Sequence, residues 1–596
     1  MSAPPTTDEK IRRIRKVMAA KAIHAVIIPS DDPHKSEYVA EYWQARKWAT
    51  GFSGSAGTAV ITMDKAILWT DFRYYIQAEE EIKGSEFELF KAGEPDVPAF
   101  DRWLADTLEE KATIGLDGAL FSITEIKKYR QLFEPKGLNL DMEADLISAL
   151  WTDRPEKPAS KTYLFPEAYA GESRAEKIGR VRDEMASLGA DYHLMVSLDD
   201  IAWTLNIRGD DVHTNPVNIA FVLIGPKTTD LFIDREKIEP AVQEALEADR
   251  VRIFEYTRIN RELSGLPGDQ TVLIDPDQTS VNLGESVNRA CRVIQKRSPA
   301  VSLKAVKNTT QITHMKETAI KDGIAMVNFL YWLENQSADD TLTEMSVAET
   351  LYDLRKKQPD FVDNSFDPIM AFRDHSAMCH YKATPESDVV IGDSGLFLTD
   401  SGGNYLTGTT DITRTISRSD PTRQEVIDYT LVLKGHIAVA TVEFPKGTRG
   451  VQIDTLARQY LWKQGLDFGH GTGHGVGFFL CVHEGPARIS PYPADEALKV
   501  GMLLTNEPGI YREGRYGIRL ENMILVEEAF ENEFGLFLKF AQMTLCHFER
   551  DLIDPALLSD DEKNWLNGYQ KRVYEKISPG LETAVAAWLA EKTEPV

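Results

Sequence analysis

Cysteine is scarce in this chain. Four cysteines occur in 596 residues, far apart and without a C-x-x-C pair: Cys291, Cys379, Cys481 and Cys546. That spacing excludes the disulfide framework of a small secreted protein and indicates a reducing compartment. No apolar run approaches the ~18 residues that a membrane span needs, and no apolar secretory segment follows the polar N-terminus. We therefore expect a cytoplasmic protein without a membrane partner.

Positive charge is also in deficit. The 67 lysines and arginines are outnumbered by 93 aspartates and glutamates, and the formal net charge at pH 7 is −26. Such a balance opposes binding to nucleic acid unless a local basic patch exists. The basic cluster between Lys10 and Lys21 alternates with apolar residues, as does the solvated face of an amphipathic helix. We therefore predict no nucleic-acid partner.

In other respects the composition is that of a globular protein, and the length indicates several domains. Hydrophobic residues make up 42% and charged residues 27% of the chain, and the length predicts about three to four domains. Residues 11–19 recur in pattern as residues 178–186, and residues 68–71 recur as 231–234. We interpret this recurrence as a duplicated α/β domain, although any two α/β domains share some periodicity.

Two segments rich in turn-forming and charged residues, 151–161 and 298–308, mark domain boundaries. The predicted domains are residues 1–155, 156–305 and 306–596. Helical periodicity at residues 313–334 and 345–354 opens the third domain, and the tail from 559 to 589 is also helical in pattern. We expect the first two of these helices to cover the sheet that carries the functional residues.

Five potential metal ligands recur on short polar segments between residues 400 and 521. They are Asp400, Asp411, His474, Glu507 and Glu521. Four carboxylates and one imidazole form a hard, oxygen-rich set, whose charge of about −4 would balance two divalent cations. The first hypothesis from these residues is a two-metal hydrolase.

The spacing predicts how these ligands meet. Asp400 follows an apolar run and Asp411 precedes an alternating segment, so both read as strand residues. Glycines between them predict a turn, and the two strands can pair as a hairpin-like unit with both aspartates in one pocket. Arg519 and Glu521 are two residues apart, which places them on one face of a predicted strand.

These ligands and the strings GTTD, HGTGHGVG, VHEGP, NEPGIY and IRLEN resemble the pita-bread metallopeptidases. Among them, the three-domain cytosolic Xaa-Pro aminopeptidases (aminopeptidase P) are most similar in length and in the repeated N-terminal part. The resemblance implies an α/β (α+β) fold, with two creatinase-like domains ahead of a pita-bread catalytic domain. It also implies a homodimer.

The resemblance implies a role for each ligand. Asp400 would bind one metal ion, His474 and Glu507 the other, and Asp411 and Glu521 would bridge the two. The expected metal is Mn²⁺, and a water or hydroxide between the ions would be the nucleophile. The implied substrates are peptides with N-terminal Xaa-Pro, from which a metal-dependent aminopeptidase releases the first residue.

Three histidines match accessory positions of the family. His380, His470 and His483 would hydrogen-bond the substrate carbonyl and the developing oxyanion, or carry a proton to the leaving nitrogen. The segment 371–379 departs from the glycine- and asparagine-containing loop usual there, and His375 is a rival for His380. The family register favours His380.

Three further residues match positions that orient ligands or reach the substrate. Arg519 and Tyr511 correspond to an arginine and a tyrosine that orient the bridging glutamate and the site water. Arg73 corresponds to an arginine that contacts longer substrates, although an Asp-x-Arg such as Asp71–Arg73 also reads as a structural ion pair.

Other classes share parts of this pattern. Prolidases have the same fold and ligands but usually lack a middle domain, so residues 178–300 argue against them. Metal-free pita-bread binding modules and creatinase-like amidinohydrolases are alternatives that the intact acidic set disfavours. Metal content would separate the binding module from the enzyme.

Overall fold

The computed structural model describes residues 5–336, 342–492 and 496–596. The chain divides into two compact units. The first comprises Met1–Pro166 and Glu172–Ala300, and the second comprises Glu167–Gly171 and Val301–Val596. Within the described ranges, no helix has both the length and the apolar character needed to span a bilayer.

Both units contain helices, and those at residues 7–21, 174–188, 309–334 and 344–356 lie where helical periodicity predicted them. In chain order they are α1 Thr7–Lys21, α2 Ala45–Thr50, α3 Tyr75–Glu81, α4 Phe100–Thr107, α5 Ile123–Phe133, α6 Glu167–Ala170, α7 Arg174–Leu188, α8 Leu198–Leu205, α9 Pro240–Ala248, α10 Ile259–Ser264, α11 Val281–Ser286, α12 Pro299–Ala305, α13 Thr309–Glu334, α14 Glu344–Lys356, α15 Arg423–Thr441, α16 Gly450–Trp462, α17 Asp560–Ile577 and α18 Thr583–Lys592. The repeated helices α1 and α7 both begin with a capping box, in which a hydroxyl and a glutamate satisfy free backbone N–H groups.

The first sheet of the first unit has six strands. They are β1 Ala25–Ile28, β2 Thr58–Thr62, β3 Ala66–Thr70, β4 Phe87–Lys91, β5 Thr113–Gly115 and β6 Asn139–Asp141. Their order is β4-β3-β2-β1-β5-β6. Strand β2 is antiparallel to both of its neighbours, and the other pairs are parallel.

The rest of this unit repeats that sheet. Its strands are β7 Tyr163–Leu164, β8 Tyr192–Met195, β9 Ile207–Arg208, β10 Ala220–Ile224, β11 Thr229–Ile233, β12 Val251–Phe254, β13 Thr271–Ile274 and β14 Arg292–Gln295. Six of them form a sheet in the order β12-β11-β10-β8-β13-β14. Here β10 is the strand antiparallel to both neighbours. Order and directions therefore repeat, in agreement with the duplication read from residues 11–19 and 178–186.

The two repeats meet at equivalent positions. Ser122 begins α5 after β5, Ser280 begins α11 after β13, and the two serines form an antiparallel bridge. The Ile123 N–H donates to the Thr279 carbonyl at 3.0 Å, and the Val281 N–H donates to the Phe121 carbonyl at 2.9 Å. Each repeat thus gives the other the same hydrogen bond.

The second unit is built from shorter sheets. Its strands are β15 Phe361–Asn364, β16 Ile369–Phe372, β17 Leu396–Ser401, β18 Gly403–Tyr405, β19 Gly408–Thr409, β20 Ile412–Ser417, β21 Phe444–Pro445, β22 Gly473–Gly475, β23 Glu484–Ile489, β24 Leu503–Asn506, β25 Gly509–Arg512, β26 Tyr516–Arg519, β27 Asn522–Asn532 and β28 Gly535–Gln542. The largest sheet has the order β21-β28-β27-β24-β22-β23, and a second has the order β16-β17-β20.

Hydrophobic clusters join helices to these two sheets. Helices α15 and α16 cover the six-stranded sheet, where Val432 and Leu504 are fully buried. Helices α13 and α14 cover the three-stranded sheet through a cluster that contains Phe329, Met370 and Phe397. The predicted helices at residues 313–334 and 345–354 thus exist, and they cover the sheet that carries Asp400, whereas His474 lies on the six-stranded sheet. The tail forms α17 and α18 rather than one helix, because the Ser578–Gly580 turn, with its proline, interrupts it.

A buried ion pair ties the predicted boundary segment 151–161 to the second repeat. Lys237 Nζ lies 2.6 Å from Asp211 Oδ2, and the side chains are 1% and 0% exposed. Asp211 also accepts hydrogen bonds from the N–H and hydroxyl of Ser160 and from the Ile219 N–H. Its charge is therefore fully compensated within the protein.

We expect Lys237→Met to lower the free energy of unfolding of the first unit by about 3–5 kcal/mol, because it leaves the Asp211 carboxylate buried without a cation. Lys65→Met is the matched control, since Lys65 pairs with Glu88 at the surface, and it should cost about 1 kcal/mol or less. Urea denaturation measures both. Equal losses would contradict the role of burial.

Candidate metal centre

The two predicted aspartate ligands lie on paired strands. Asp400 is on β17, and Asp411 immediately precedes β20, to which β17 is antiparallel. In this register Asp400 lies opposite Thr413, so the hairpin-like pairing expected from the glycine spacing is present. The prediction that Asp411 is a strand residue is wrong by one position, since β20 begins at Ile412.

The other three ligands come from the six-stranded sheet and its edge. His474 is on β22, Glu507 follows β24 directly, and Glu521 lies between β26 and β27. Because β26 ends at Arg519, the prediction that Arg519 and Glu521 share one continuous strand is wrong. They nevertheless meet at one atom. Thr413 Oγ1 accepts from Arg519 Nε at 3.2 Å and donates to Glu521 Oε2 at 2.8 Å.

These elements bring the ligand atoms together. Asp411, His474 and Glu521 each offer one atom within 4.8 Å of the others. His474 Nε2 lies 3.4 Å from Asp411 Oδ2 and 3.6 Å from Glu507 Oε1. Asp400 completes the predicted set, and its charge acts on the other carboxylates of the site.

The carboxylates are buried and repel one another. Asp400, Asp411 and Glu521 are 8%, 4% and 1% exposed. Burial raises the pKa of Glu521 well above its usual range, and the charges of Asp411 and Glu507 raise it further. Burial also raises the pKa of Glu507 to about 6, despite the nearby cations. Without a divalent cation beside them, Glu507 and Glu521 are therefore costly to ionise.

The pKa of His474, in contrast, shifts in favour of the charged form. Burial lowers its pKa, but the hydrogen bond with Asp411 and the charges of Glu507 and Asp411 outweigh burial and raise the pKa to about 9. Its Nδ1 lies 2.9 Å from the Gly475 carbonyl, which orients Nε2 toward the carboxylates. A proton on Nε2 occupies the place that a metal ion would take.

Divalent cations fit this site. Asp400 Oδ1 is buried and, within the described ranges, accepts no hydrogen bond, so it is an acceptor that a cation would satisfy. The donor set of carboxylate oxygens and one imidazole is the kind that hard divalent ions prefer. Two ions would neutralise the four carboxylates.

A chain of hydrogen bonds joins Asp400 to His470. Arg519 Nη2 lies 2.5 Å from Asp400 Oδ2, and its Nη1 donates to the Tyr511 hydroxyl at 2.6 Å. The Tyr511 hydroxyl lies 2.8 Å from His470 Nε2, while His470 Nδ1 lies 2.7 Å from the Gly471 carbonyl. Because the Gly471 carbonyl can only accept, Nδ1 carries the proton in neutral His470, and Nε2 accepts from the Tyr511 hydroxyl. This chain connects three of the predicted accessory residues to a ligand.

The remaining histidines differ in their surroundings. His483 meets His474 edge to face, with ring centroids 4.2 Å apart. His375 Nδ1 lies 3.0 Å from both carboxylate oxygens of the buried Glu344, so the rival for His380 is engaged away from the ligands. His380 is half-buried in the turn before Tyr381, and its role stays a prediction.

Arg73 forms the ion pair that was the alternative reading. Its Nε and Nη2 each lie 2.8 Å from an oxygen of Asp71. Contact of Arg73 with a substrate stays a prediction.

Two threonines support the ligands and escaped the sequence analysis. Thr413 joins Arg519 to Glu521 as described above. Thr505 Oγ1 accepts from the His474 N–H at 3.1 Å and lies 3.4 Å from Glu507 Oε1. Each threonine is two residues from a ligand, so period-two alternation could have indicated both.

A buried arginine supports the loop that carries His470. Arg458 on α16 pairs with Asp454 and donates through Nη2 to the His470 carbonyl at 2.7 Å. Asp454 in turn accepts from the Thr472 hydroxyl at 2.7 Å. The i, i+4 spacing of this pair reads as a solvated helix face, but both side chains are 3% exposed.

Models of known protein families match four successive parts of the chain. Models of the creatinase/prolidase N-terminal domain match residues 153–311 and 10–147. Models of metallopeptidase family M24 and of its C-terminal region match residues 313–528 and 536–596. Together with the acidic site, they define a pita-bread metallopeptidase, as the resemblance predicted.

Relatives that match the full length of the chain show which metallopeptidases it is most similar to. A probable Xaa-Pro aminopeptidase P of Paracoccidioides brasiliensis (strain Pb03) is 37% identical over 99% of both chains. Aminopeptidase P2 of Arabidopsis thaliana is 37% identical over 99% of this chain and 88% of its own. The crystal structure of X-prolyl aminopeptidase from Caenorhabditis elegans, described as a cytosolic enzyme with a di-nuclear active site, has a TM-score of 0.94 at 34% identity and covers 100% of both chains. The chain belongs to the Xaa-Pro aminopeptidase P family, and it is a metallo-exopeptidase.

We expect Gly473→Ala to reduce activity by about 100-fold, because the added Cβ would lie 2.0 Å from the Thr505 carbonyl oxygen and displace the strand of His474. Gly568→Ala is the matched control, since its Cβ would meet nothing within 4 Å on α17. The control should keep activity and gain up to about 1 kcal/mol of stability. Initial rates and thermal unfolding test both variants. Full activity of Gly473→Ala would contradict the close approach of these strands.

Proposed function

We propose that this protein releases the N-terminal residue from peptides whose second residue is proline, using two divalent metal ions, with Mn²⁺ as the expected metal. The observation that carries the proposal is the convergence of Asp411, His474 and Glu521 within 4.8 Å. Family membership supports the reaction, and the di-nuclear site of the Caenorhabditis elegans relative supports the number of ions.

The proposed ligand roles follow the predicted set. Asp400 would hold one ion, His474 and Glu507 the other, and Asp411 and Glu521 would contact both. When bound, such ions supply an activated water and polarise the scissile carbonyl. Arg519 orients Asp400 and offsets part of the cost of ionising it, and Thr413 fixes one oxygen of Glu521.

The histidines would handle hydrogen bonds and protons. His483 is oriented by its edge-on contact with His474, so its ring can donate an N–H to the substrate carbonyl oxygen. The Tyr511 hydroxyl holds His470 at Nε2. His380 would also act on the substrate carbonyl oxygen. Cleavage before proline leaves a secondary amine that must gain a proton, which a histidine can deliver.

The substrate preference follows from proline itself. A prolyl nitrogen has no N–H, so a peptidase cannot grip a backbone donor at that bond and must recognise the ring. The free α-amino group of the substrate would bind at the acidic site, which limits attack to the first peptide bond. Arg73 would contact longer substrates.

We further propose the division into residues 1–155, 156–305 and 306–596, a cytoplasmic location and a homodimer. The family matches at residues 10–147, 153–311 and 313–528 support the division. The four cysteines, which form no disulfide within the described ranges, and the cytosolic relative support the location. The homodimer rests on the family resemblance, and sedimentation equilibrium tests it.

The direct test is release of arginine from Arg-Pro-Pro by metal-stripped protein with and without added Mn²⁺. We expect Mn²⁺ to restore the wild type, whereas Glu521→Ala should stay more than about 100-fold less active, because it lacks a ligand and not only a supporting residue. Glu528→Ala, on the exposed part of β27, is the control that should respond as the wild type does. Cleavage of Gly-Pro but not Arg-Pro-Pro would contradict the proposal and indicate a prolidase.

Metal affinity should depend on pH through His474. Its pKa of about 9 in the metal-free site means that a metal ion must displace a proton below that pH, so Mn²⁺ binding should tighten from pH 6.5 to pH 8.5. For one displaced proton the gain is up to about tenfold per pH unit. Calorimetric titration of Mn²⁺ into the wild type and into His474→Gln at each pH measures this dependence. An unchanged dissociation constant in the wild type would contradict the assignment of His474 as a ligand.

A further inference from the structure

Glu344 is a buried carboxylate outside the metal site. It lies in the first turn of α14 and is 0% exposed. Its Oε1 accepts from the Phe372 N–H at 2.7 Å, its Oε2 accepts from the Tyr381 hydroxyl at 2.7 Å, and His375 Nδ1 lies 3.0 Å from both oxygens. All three donors belong to residues 372–381, the segment that carries His380.

This segment has little regular structure of its own. It contains one short 3₁₀ helix, Arg373–Ala377, and Arg373 has a φ of 53°, in the left-handed region. Such a conformation costs free energy and persists when surrounding contacts determine it. The bonds to Glu344 supply contacts at both ends of the segment.

Tyr381 connects Glu344 to His380. The two residues are neighbours in the chain, and the Tyr381 ring is buried in a small cluster with Ile369, Ala371 and Leu398. Burial raises the pKa of Tyr381 above its usual range, so its hydroxyl stays protonated and donates to Glu344. With this ring fixed at both its edge and its hydroxyl, the backbone at His380 has little freedom.

The opposite side of the segment lies against the strand of Arg519. The Gly517 N–H on β26 donates to Ser376 Oγ at 2.7 Å, and a Cβ on Gly517 would lie 1.9 Å from the Ser376 carbonyl oxygen. The segment is therefore held between Glu344 on one side and β26, which leads to the site, on the other.

We propose that Glu344 is a positioning residue that holds residues 372–381 so that His380 faces the substrate. This inference rests on the proposed function for the role of His380. Glu344 itself is enclosed by its three donors and does not reach the reacting atoms.

The test compares kcat, KM, bound Mn²⁺ and thermal midpoint in Glu344→Gln and Tyr381→Phe with Arg-Pro-Pro as substrate. Glu344→Gln should lower kcat by about 10- to 100-fold, because small displacements of a reacting group carry such losses. Tyr381→Phe should lose less, since it removes one hydroxyl. KM and bound Mn²⁺ should change less than twofold in both. Asp388→Asn is the control, because Asp388 accepts from the Met345 N–H at the same helix end, and its kcat should be unchanged.

The same substitutions in a His380→Ala background separate the explanations. Residues that act through one group are not additive, so Glu344→Gln should cause no further loss there. A further loss as large as in the wild type would overturn the inference, as would a fall in kcat that is matched by loss of Mn²⁺ and of the thermal midpoint. Full activity of His380→Ala alone would instead refute the role of His380 in the proposed function.

Discussion

Mutual repulsion among buried carboxylates is the constraint on which the second unit depends. Asp400, Asp411 and Glu521 are withdrawn from water within one cluster, and the charge of Asp411 raises the cost of ionising Asp400 and Glu521. Arg519 offsets part of that cost at Asp400, and divalent ions would offset the rest. Each strand that ends at the site therefore has to deliver its ligand to within a few ångströms, while the sheets and the covering helices hold those ends in place.

Side chains beyond the ligands satisfy the same constraint. Thr413, Thr505 and Tyr511 are not among the predicted ligands, yet each holds a predicted ligand, or a residue bonded to one, by hydrogen bonds between 2.6 and 3.4 Å. A site built in this way is preorganised, because few of its groups must move when a substrate arrives. Loss of any of these contacts acts through the ligand that it supports.

Periodicity and spacing were enough to predict much of this protein. The apolar positions of residues 11–19 and 178–186 indicated two similar α/β domains, and the two sheets have the same order and directions. The segments around Asp400, His474 and Glu521 resemble those of the family to which the chain belongs. What could not be predicted depends on contacts distant in sequence. The contact of His375 with Glu344 joins residues some thirty positions apart, and the burial of Asp454 and Arg458 depends on the loop that α16 meets. No local pattern encodes either.

The hydrogen bonds around Ser122 and Ser280 are reciprocal, as expected for two copies of one domain. Ile123 reaches Thr279 as Val281 reaches Phe121, which is the isologous contact that two identical subunits make across a twofold axis. The unit thus has the architecture of a homodimer whose subunits have become one polypeptide. The symmetry of this shared seam places the same hydrogen bond on both sides of it.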